Sequence, residues 1–333
     1  MELSVILLSG NRYSFLEGCL KSLDKSYRKL SSSRLVEVII AGQNITEAVR
    51  NCSSGIQLKT RFYEQEGAVK SRLRNFALSK AEGEIVYFLD DDVYVGNDFI
   101  EKIFRKFDEY SGVEVIGGPN LTPSESSNFE KVQGTLLSSR WGAAVMSRRY
   151  RPAEKDFRAG QESFALCNLG FRKEMLTRSG FLFDERLNYN EENDLLCRLQ
   201  EIGAGMVFAD INVFHYRRRR LRAFIAQVFE SGRGRARSIR ISRHNLGAVY
   251  LMPLFFALYI AALPFLISFY GKIFFFPLGV YGVFSALASL AALPDFIKEK
   301  NYTGPLLLFV LFFISHVSYG AGMLHGFVTK LEK

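Results

Sequence analysis

Cysteine and tryptophan are scarce in this sequence of 333 residues. It contains four cysteines, widely separated and without a C-x-x-C pair, and a single tryptophan. This usage excludes a disulfide-stapled secreted module and suits a reducing compartment. Because buried cysteine is a common core residue, we interpret all four as core residues: Cys19, Cys52, Cys167 and Cys197.

Charged side chains are nearly absent from the last quarter of the chain. Only five lie between residues 246 and 329, and all stand at breaks between apolar runs: Lys272, Asp295, Lys298, Glu299 and Lys300. The whole chain has 48% hydrophobic and 23% charged residues and a mean hydropathy of +0.04. This segregation excludes a disordered chain and a collagen-like fibre. It predicts a globular domain at 1–215 and an apolar domain at 246–333.

The apolar domain contains three long runs. Residues 246–270 carry no charge over their whole length, and a bilayer is crossed by about 20 such residues. Two further runs, 273–293 and 303–328, follow after short gaps. We therefore predict about three transmembrane helices at these positions. The alternative for the first two is a re-entrant hairpin, because Gly271 and Lys272 form a tight connection.

Acidic residues are also scarce just before the apolar domain. Between His215 and His244 there are ten arginines and one acid, Glu230, a balance equal to the formal net charge of +9. A basic stretch can indicate nucleic-acid binding, but its position beside an apolar run favours the membrane surface, so we predict no nucleic-acid partner. The positive-inside rule places the arginines and the globular domain on the cytoplasmic side of the cytoplasmic membrane.

Apolar residues recur at helical spacing between these arginines: Leu221, Phe224, Ile225, Val228 and Phe229. The pattern predicts an amphipathic helix within residues 216–245. It would lie in the membrane interface, with its apolar side in the lipid and its arginines toward anionic headgroups. Membrane lipids are therefore predicted partners. The alternative is an electrostatic collar that only sets the topology.

The globular domain alternates short apolar runs with helical patterns. Predicted strands cover residues 3–9, 36–41, 56–63, 85–89 and 113–117, and predicted helices include 67–80 and 98–110. The alternation predicts an α/β fold, in which a mainly parallel sheet with flanking helices binds ligands at the carboxyl ends of its strands. Residues 119–165 match no strong pattern and are predicted to form a mobile loop that binds the acceptor.

Three consecutive aspartates, Asp90, Asp91 and Asp92, follow the strand that ends at Leu89. Carboxylates this close repel one another unless a cation neutralises them, and hard oxygen ligands suit Mg²⁺ or Mn²⁺. We interpret the run as a metal site. The alternative is a solvated acidic turn before the helix that begins near Asp98.

A second acidic cluster, with the sequence EENDL at residues 191–195, opens a helical pattern. Acids are favoured electrostatically at a helix N-terminus, which is one explanation of the cluster. The other is catalytic, since a carboxylate at the rim of a site can act as a general base. The residues alone leave both explanations open.

In their order along the chain, these segments resemble the inverting family 2 glycosyltransferases with a GT-A fold. The resemblance covers about residues 1–240 and rests on five blocks: SVILLSGNR at 4–12, residues 67–75, AEGEIVYFLDDD at 81–92, CNLGFR at 167–172 and residues 180–195. The tail from His215 through the arginines to the apolar domain is similar to the succinoglycan-type glucosyltransferases.

The resemblance implies roles for residues at matching positions. Glu192 is the expected catalytic base, with Glu191 and Asp194 as alternates. The expected metal ligands are Asp90, Asp92 and His215. The expected donor-binding residues are Ser9, Asn11, Arg12, Arg74, Asp90 and Asp91. The expected contacts to the acceptor or a diphosphate are Asn168, Arg217, Gln227, Arg233 and Arg235.

The sequence departs from the family pattern at two places. Glu192 stands where the family usually has an aspartate, which keeps the carboxylate but lengthens the side chain. Gly42 stands after the second strand, where the family often has an aspartate that contacts the nucleotide base of the donor. The donor nucleotide therefore stays open, and a UDP-sugar is the favoured prediction.

The activity that the resemblance implies is an inverting hexosyl transfer from a nucleotide sugar with Mg²⁺ or Mn²⁺. Three membrane helices bring such an enzyme little advantage unless its substrate is anchored in lipid. The predicted acceptor is therefore a saccharide on polyprenyl diphosphate, in the synthesis of a cell-surface polysaccharide or glycan. The alternatives are direct transfer to polyprenyl phosphate and a non-catalytic membrane scaffold.

Overall fold

The computed structural model describes residues 1–10, 12–31, 34–242 and 247–331. The chain forms two compact units: Met1–Leu121 with Arg148–Tyr216, and Thr122–Ser147 with Arg217–Lys333. This division differs from the predicted parts 1–215, 216–245 and 246–333 in two ways. Residues 122–147 pack with the apolar end of the chain, and the arginine-rich segment from Arg217 belongs to the same unit as the apolar helices.

Within the described residues, the first unit contains eleven strands: β1 (Leu3–Leu8), β2 (Val36–Gly42), β3 (Lys59–Glu64), β4 (Ile85–Asp90), β5 (Val93–Val95), β6 (Val115–Gly117), β7 (Asn120–Leu121), β8 (Phe157–Arg158), β9 (Asn168–Arg172), β10 (Met206–Phe208) and β11 (Val213–His215). Eight of them form a sheet in the order β3-β2-β1-β4-β9-β6-β10-β8, and three form a small sheet in the order β5-β11-β7. The predicted α/β fold with a mainly parallel sheet is confirmed.

The described helices, in chain order, are α1 (Tyr13–Tyr27), α2 (Glu47–Asn51), α3 (Lys70–Lys80), α4 (Phe99–Glu109), α5 (Asn128–Ser138), α6 (Arg140–Ala143), α7 (Lys173–Ser179), α8 (Glu191–Glu201), α9 (Leu221–Ile241), α10 (Ala248–Tyr270), α11 (Phe276–Ala291), α12 (Leu293–Lys298) and α13 (Gly304–Val328). Short 3-10 helices cover Ala144–Tyr150, Gln161–Ser163 and Lys272–Phe275. Helices α1 to α4, α7 and α8 belong to the first unit, and the others belong to the second.

The central strands are apolar along their length because both faces of the sheet are covered. Tyr87 and Leu89 of β4 enter one buried cluster, whereas Val86 and Phe88 enter the other. Successive side chains of a strand point to opposite faces, so a continuous apolar run fills two layers of core. The strand leaves this core at Asp90, which is half-buried.

The strand β9 determines where the functional side chains meet. It lies between β4 and β6 and runs antiparallel to both, with Leu89 opposite Asn168. The carboxyl end of β4 is therefore beside the amino end of β9. As a result, Asp90 and Cys167 lie at the same edge of the sheet although they are far apart in sequence.

Residues 122–147 belong to the second unit and are largely helical, so the predicted mobile loop is wrong for this segment. Helix α5 begins with a capping box, in which the Glu130 amide donates to Ser127 Oγ and the Ser127 amide donates to Glu130 Oε2. Its Val132 and Leu136 pack with Phe312 of α13. The cap and the i, i+4 apolar pair are the helix signals in this stretch.

The single tryptophan attaches this segment to the apolar helices. Trp141 Nε1 donates a hydrogen bond to Ser285 Oγ of α11 at 3.0 Å, and the Trp141 carbonyl accepts one from His316 Nε2 of α13 at 3.0 Å. Polar groups inside an apolar helix bundle are satisfied by such partners. Residues 122–147 are thus an integral part of the second unit.

Three helical segments of the second unit are long and apolar enough to cross a membrane: Ala248–Tyr270, Lys272–Ala291 and Gly304–Val328. The prediction of three apolar helices is confirmed, although residue 246, the predicted start of the first, lies outside the described residues. The first helix continues through Pro253 and Pro264.

Helix α9 lies within residues 216–245, where a helix is predicted. Phe224 of its apolar side is buried against Leu308 and Phe312 of α13, whereas Leu221 is 43% exposed. At Phe224 the helix therefore packs on protein, and its position in the membrane interface stays a prediction. Glycines allow the two backbones to approach closely. A Cβ atom on Gly232 or Gly322 would lie 2.1 or 2.0 Å from a carbonyl oxygen of the other helix, the close packing typical of membrane helices.

Candidate active site

The three aspartates after β4 differ in their surroundings. Asp91 and Asp92 are buried, whereas Asp90 is half-buried. Asp91 Oδ2 accepts a hydrogen bond from the Gly10 amide at 2.8 Å, and Oδ1 pairs with Arg12. Asp91 therefore fastens the loop after β1 to the end of β4. Its predicted contact with a donor stays a prediction.

Asp92 lies between Arg12 and His215. One oxygen pairs with Arg12, and Oδ1 is 2.9 Å from His215 Nε2. Burial favours a higher pKa for Asp92, but its interactions with His215 and Arg12 outweigh burial and hold the pKa well below its usual range. Asp92 is therefore ionised and is placed to orient the imidazole ring.

His215 is brought to the aspartates by the small sheet. It ends β11 and lies opposite Val93 of β5, the strand that directly follows Asp92. Its Nδ1 is buried and has no hydrogen-bond partner within the part of the chain that the structure describes. A histidine whose Nε2–H faces a carboxylate presents an Nδ1 lone pair, the usual arrangement of a metal-binding histidine.

Asp90, Cys167 and His215 form a compact group of three. Each offers one ligand atom, and these atoms lie within 4.8 Å of one another. Oxygen, sulfur and nitrogen donors at such distances, together with a buried Nδ1 that no described residue contacts by a hydrogen bond, fit a divalent cation. The interpretation of Cys167 purely as a core residue is therefore incomplete, because its sulfur lies beside the acidic end of β4.

The residues at the end of β1 are partly placed. Ser9 is half-buried, and its amide donates to the Ala41 carbonyl at 2.9 Å. The Arg12 side chain is 35% exposed while it pairs with the aspartates. Asn11 lies outside the described residues. The donor-binding roles of these three residues stay predictions.

The second acidic cluster opens α8, as predicted, and its three acids have different partners. Glu191 is buried in an ion pair with Arg74 of α3, and Asp194 is buried in an ion pair with Arg198 at 2.9 Å. The Glu192 side chain keeps 13% exposure. Two of the candidate bases, Glu191 and Asp194, are thus paired with arginines of the first unit. Arg74, which was predicted to bind the donor, is paired with Glu191 instead. Glu192 has the most accessible carboxylate of the three.

Arg149 is a residue of this cluster that the sequence did not indicate. Its Nη1 is 3.8 Å from Glu192 Oε1, and its Nη2 donates to Asn193 Oδ1 at 2.7 Å. Burial raises the pKa of Glu192, the neighbouring Glu191 raises it further, and Arg149 opposes them without reversing the shift. A carboxylate with a raised pKa is a stronger general base than a carboxylate with the ordinary pKa of an exposed side chain.

Asn168, a predicted acceptor contact, lies in the core. It is fully buried, and its Nδ2 donates to the carbonyls of Pro119 at 2.9 Å and Ile211 at 2.6 Å. Its Oδ1 accepts from the Tyr87 hydroxyl at 2.6 Å. Because both amide hydrogens and the oxygen have protein partners, this placement argues against a contact with the acceptor. Asn168 joins three segments of the chain instead.

The other predicted acceptor contacts lie in the second unit. Arg217 donates to Thr122 Oγ1 at 3.1 Å, Gln227 accepts from Arg218 at 3.2 Å, and Arg233 pairs with Glu230 at 2.5 Å. These contacts neither support nor exclude a ligand, so the three roles stay predictions.

Arg235 differs from the other arginines of α9. It is fully buried, and its guanidinium lies 4.3 Å from the centre of the Tyr250 ring. Its Nε and Nη1 have no hydrogen-bond partner among the residues that the structure describes. A buried cation with unused donors is costly unless an anion approaches it.

The family model for glycosyl transferase family 2 matches residues 4–179. The chain belongs to this family and is therefore classed with the glycosyltransferases. The match covers β1 to β9, and so includes the aspartate run, Arg74 and Cys167. It ends before the second acidic cluster and before His215.

Among curated proteins, the chain is similar to the glycosyltransferase GlyA of Streptococcus pneumoniae, at 27% identity over 120 residues. The matched part is 35% of this chain and only 16% of the length of GlyA. Among solved structures, it is similar to the mannosyltransferase PcManGT from Pyrobaculum calidifontis in complex with GDP-Man and Mn²⁺. The TM-score is 0.57 at 16% identity, covering 94% of this chain and 87% of the other. This similarity supports the GT-A fold.

A further similarity is to S. aureus TarS, residues 1–349, in complex with UDP-GlcNAc. The identity is 17%, the TM-score is 0.49, and the alignment covers 98% of this chain and 92% of the other. At that score the comparison adds nothing to the fold assignment, which rests on the family match and on the Pyrobaculum enzyme.

Proposed function

We propose that this protein transfers a sugar from a nucleotide-sugar donor to a lipid-linked saccharide, with inversion at the anomeric carbon. The observation that carries the proposal is the pair of acidic sites in the first unit. One joins Asp90 and Asp92 to His215 at the end of β4, and the other presents Glu192 beside Arg149. A cation-binding group and a separate carboxylate base are what inverting transfer requires.

The donor would bind at the carboxyl ends of β1 and β4. Asp90 and His215 would hold a divalent cation, and Asp92 would keep the imidazole in the ligating orientation. The cation supplies positive charge to the diphosphate as it leaves the sugar. That PcManGT was solved with GDP-Man and Mn²⁺ supports a nucleotide sugar and a divalent metal, while the choice between Mg²⁺ and Mn²⁺, and the preference for a UDP-sugar, stay predictions.

Glu192 would act as the general base. The acceptor hydroxyl oxygen forms a bond to the anomeric carbon on the face opposite the diphosphate, and the bond from that carbon to the diphosphate oxygen breaks. The hydroxyl proton passes to the Glu192 carboxylate. The raised pKa of Glu192, caused first by burial and then by Glu191, suits it to accept this proton.

The second unit supports an acceptor that is anchored in a membrane. It contains three apolar helices of spanning length, and two donors of the buried Arg235 guanidinium have no hydrogen-bond partner among the described residues. A phosphate of polyprenyl diphosphate would satisfy that guanidinium. We infer an integral protein of the cytoplasmic membrane with the sheet on the cytoplasmic side, because the arginine-rich stretch precedes the first apolar helix, and we infer a part in cell-surface polysaccharide or glycan synthesis.

The experiment measures release of nucleotide by the purified full chain in detergent. UDP-, GDP- and dTDP-sugars are supplied with Mg²⁺ or Mn²⁺ and a membrane lipid extract, and Glu192→Gln is compared with Glu201→Gln, an exposed glutamate at the end of the same helix. We expect lipid-dependent release that only Glu192→Gln abolishes. Release that is equal with and without lipid would contradict the lipid-linked acceptor. Full activity on polyprenyl monophosphate alone would replace the saccharide acceptor with that carrier.

A further inference from the structure

We propose that Cys167 is a metal ligand, so that the cation of this site is bound by oxygen, nitrogen and sulfur from Asp90, His215 and Cys167. Such a site prefers Zn²⁺, Co²⁺ and Mn²⁺ to Mg²⁺. The inference rests on the proposed function only for the role that the bound metal would play. Its test measures metal binding and does not depend on catalysis.

The register of the sheet brings the three residues together. Asp90 ends β4, and Cys167 precedes β9, whose Asn168 lies opposite Leu89. His215 ends β11, which pairs with the strand directly after the aspartates. The potential ligand atoms of the three residues lie within 4.8 Å of one another, a separation that one ion bound to all three can bridge with small side-chain movements.

His215 supplies the second, independent observation. The residue is 9% exposed, and its Nδ1 is buried without a hydrogen-bond partner in the described part of the chain. Its Nε2 lies 2.9 Å from Asp92 Oδ1, which leaves Nδ1 as the ring nitrogen available to an ion. A buried ring nitrogen without a partner is costly, and a cation at the Asp90 and Cys167 side chains would provide that partner.

The sulfur of Cys167 is held in position by a hydrogen bond. It is buried, and Asn120 Nδ2 donates to it at 3.0 Å. This N–H donor holds the sulfur in place beside Asp90, as hydrogen-bond partners of metal ligands do. When the metal binds, the sulfur–metal bond forms and the thiol proton is released to water.

The donor set determines which cations bind well. Mg²⁺ prefers oxygen ligands and loses its water reluctantly, whereas thiolate and imidazole favour the later divalent metals. A site made only of carboxylates would lack this preference for the later divalent metals over Mg²⁺. The Cys167 sulfur is therefore the feature that makes the metal preference of this protein testable.

The test uses Co²⁺ as the probe, because thiolate ligation gives a charge-transfer absorption that oxygen ligation does not. The full chain in detergent is titrated with Co²⁺, and wild type is compared with Cys167→Ser and with Cys197→Ser, a buried cysteine of α8. We expect the sulfur band in wild type and in Cys197→Ser only. Zn²⁺ should displace Co²⁺ when equimolar with it, and Mg²⁺ should fail to displace it in large excess.

Asp90→Asn keeps the inference testable should Cys167→Ser not fold. That variant retains the sulfur, so it should keep the band but bind Co²⁺ at least about tenfold more weakly. Co²⁺ binding by wild type without a sulfur band, or a band that persists in folded Cys167→Ser, would overturn the inference. Sugar transfer by a protein that lacks the band would sink this inference and leave the proposed function standing.

Discussion

The guanidinium of Arg149 faces the carboxylate of Glu192, with Nη1 3.8 Å from Oε1. Arg149 is held there by hydrogen bonds to the Glu162 carbonyl at 2.8 Å and to the side chain of Asn193 at 2.7 Å. The charge of Arg149 therefore lies beside the candidate base without a close ion pair. This charge lowers the pKa of Glu192 and so opposes the larger effects of burial and of Glu191, which raise it.

Activity should fall in acid through a pKa above the usual carboxyl value of 4.5, because the pKa of Glu192 is raised and only its ionised form is a base. Arg149→Gln removes the charge that lowers this pKa, so the acid limb of the kcat/KM profile should move to higher pH. The neighbouring Arg148→Gln is the control, since Arg148 is exposed. Profiles of wild type and Arg149→Gln that coincide would contradict the role given to Arg149.

Substitution of Glu191 should mainly reduce stability, whereas substitution of Glu192 should mainly reduce catalysis. Glu192→Gln should lower kcat about 10²- to 10⁴-fold, the usual contribution of a general base, with little change in the thermal midpoint. Glu191→Gln leaves Arg74 buried without its partner and should destabilise the protein by about 3–5 kcal/mol. Thermal unfolding and turnover are measured on both variants. The opposite pattern would transfer the base role to Glu191.

Asn168→Leu should destabilise the first unit without altering the affinity for the acceptor. The substitution leaves two carbonyls and the Tyr87 hydroxyl without their partners, at about 1–3 kcal/mol for each buried group. Urea unfolding is compared with that of Asn51→Leu, at an exposed position of α2. A stable Asn168→Leu with a raised acceptor KM would restore the contact predicted from the sequence.

The close packing of α9 on α13 should be sensitive to one methyl group. Gly322→Ala places a Cβ 2.0 Å from the Phe229 carbonyl oxygen and should cost about 1–3 kcal/mol. Gly282→Ala in α11 meets nothing within 4 Å and should be neutral or slightly stabilising. The thermal midpoints of both variants in the same detergent test this. Equal midpoints would mean that the two helices are not packed through their glycines.

Arg235→Gln should raise the KM for a lipid-linked acceptor about 10- to 100-fold, the value of a charged hydrogen bond, with the donor KM unchanged. Arg222→Gln, at an exposed position of the same helix, is the control. If Arg235 binds no anion, removing its buried charge should instead stabilise the protein and leave the acceptor KM unchanged. Kinetics and thermal unfolding together distinguish these outcomes.

The parts of the fold that were predictable from the sequence are those with a local pattern. The apolar run from Ile85 to Leu89 predicted a strand buried on both faces, and the charge-free runs predicted the three apolar helices. The aspartates after β4 and the acids that open α8 were found because each cluster is contiguous in sequence. Periodicity and contiguity are visible without coordinates.

The parts that were not predictable depend on pairing between distant segments. Nothing local indicates that β9 inserts antiparallel between β4 and β6, so Cys167 was interpreted as core and Asn168 as a ligand contact. Arg149 approaches Glu192 only because both segments fold onto one unit. Helix α5 was missed for another reason. Its capping box and its apolar pair Val132 and Leu136 are local helix signals, but they lie in a stretch rich in serine that was interpreted as a loop.

The alternation along β4 has a consequence for how this segment can change in evolution. The strand delivers neighbouring side chains to opposite faces, and the three aspartates that follow receive separate tasks at its end. A substitution alters one side chain, whereas the loss or gain of one residue exchanges the faces of the whole strand and moves every aspartate to its neighbour's place. Between Ile85 and Asp92 the chain can therefore vary in residue type far more readily than in length.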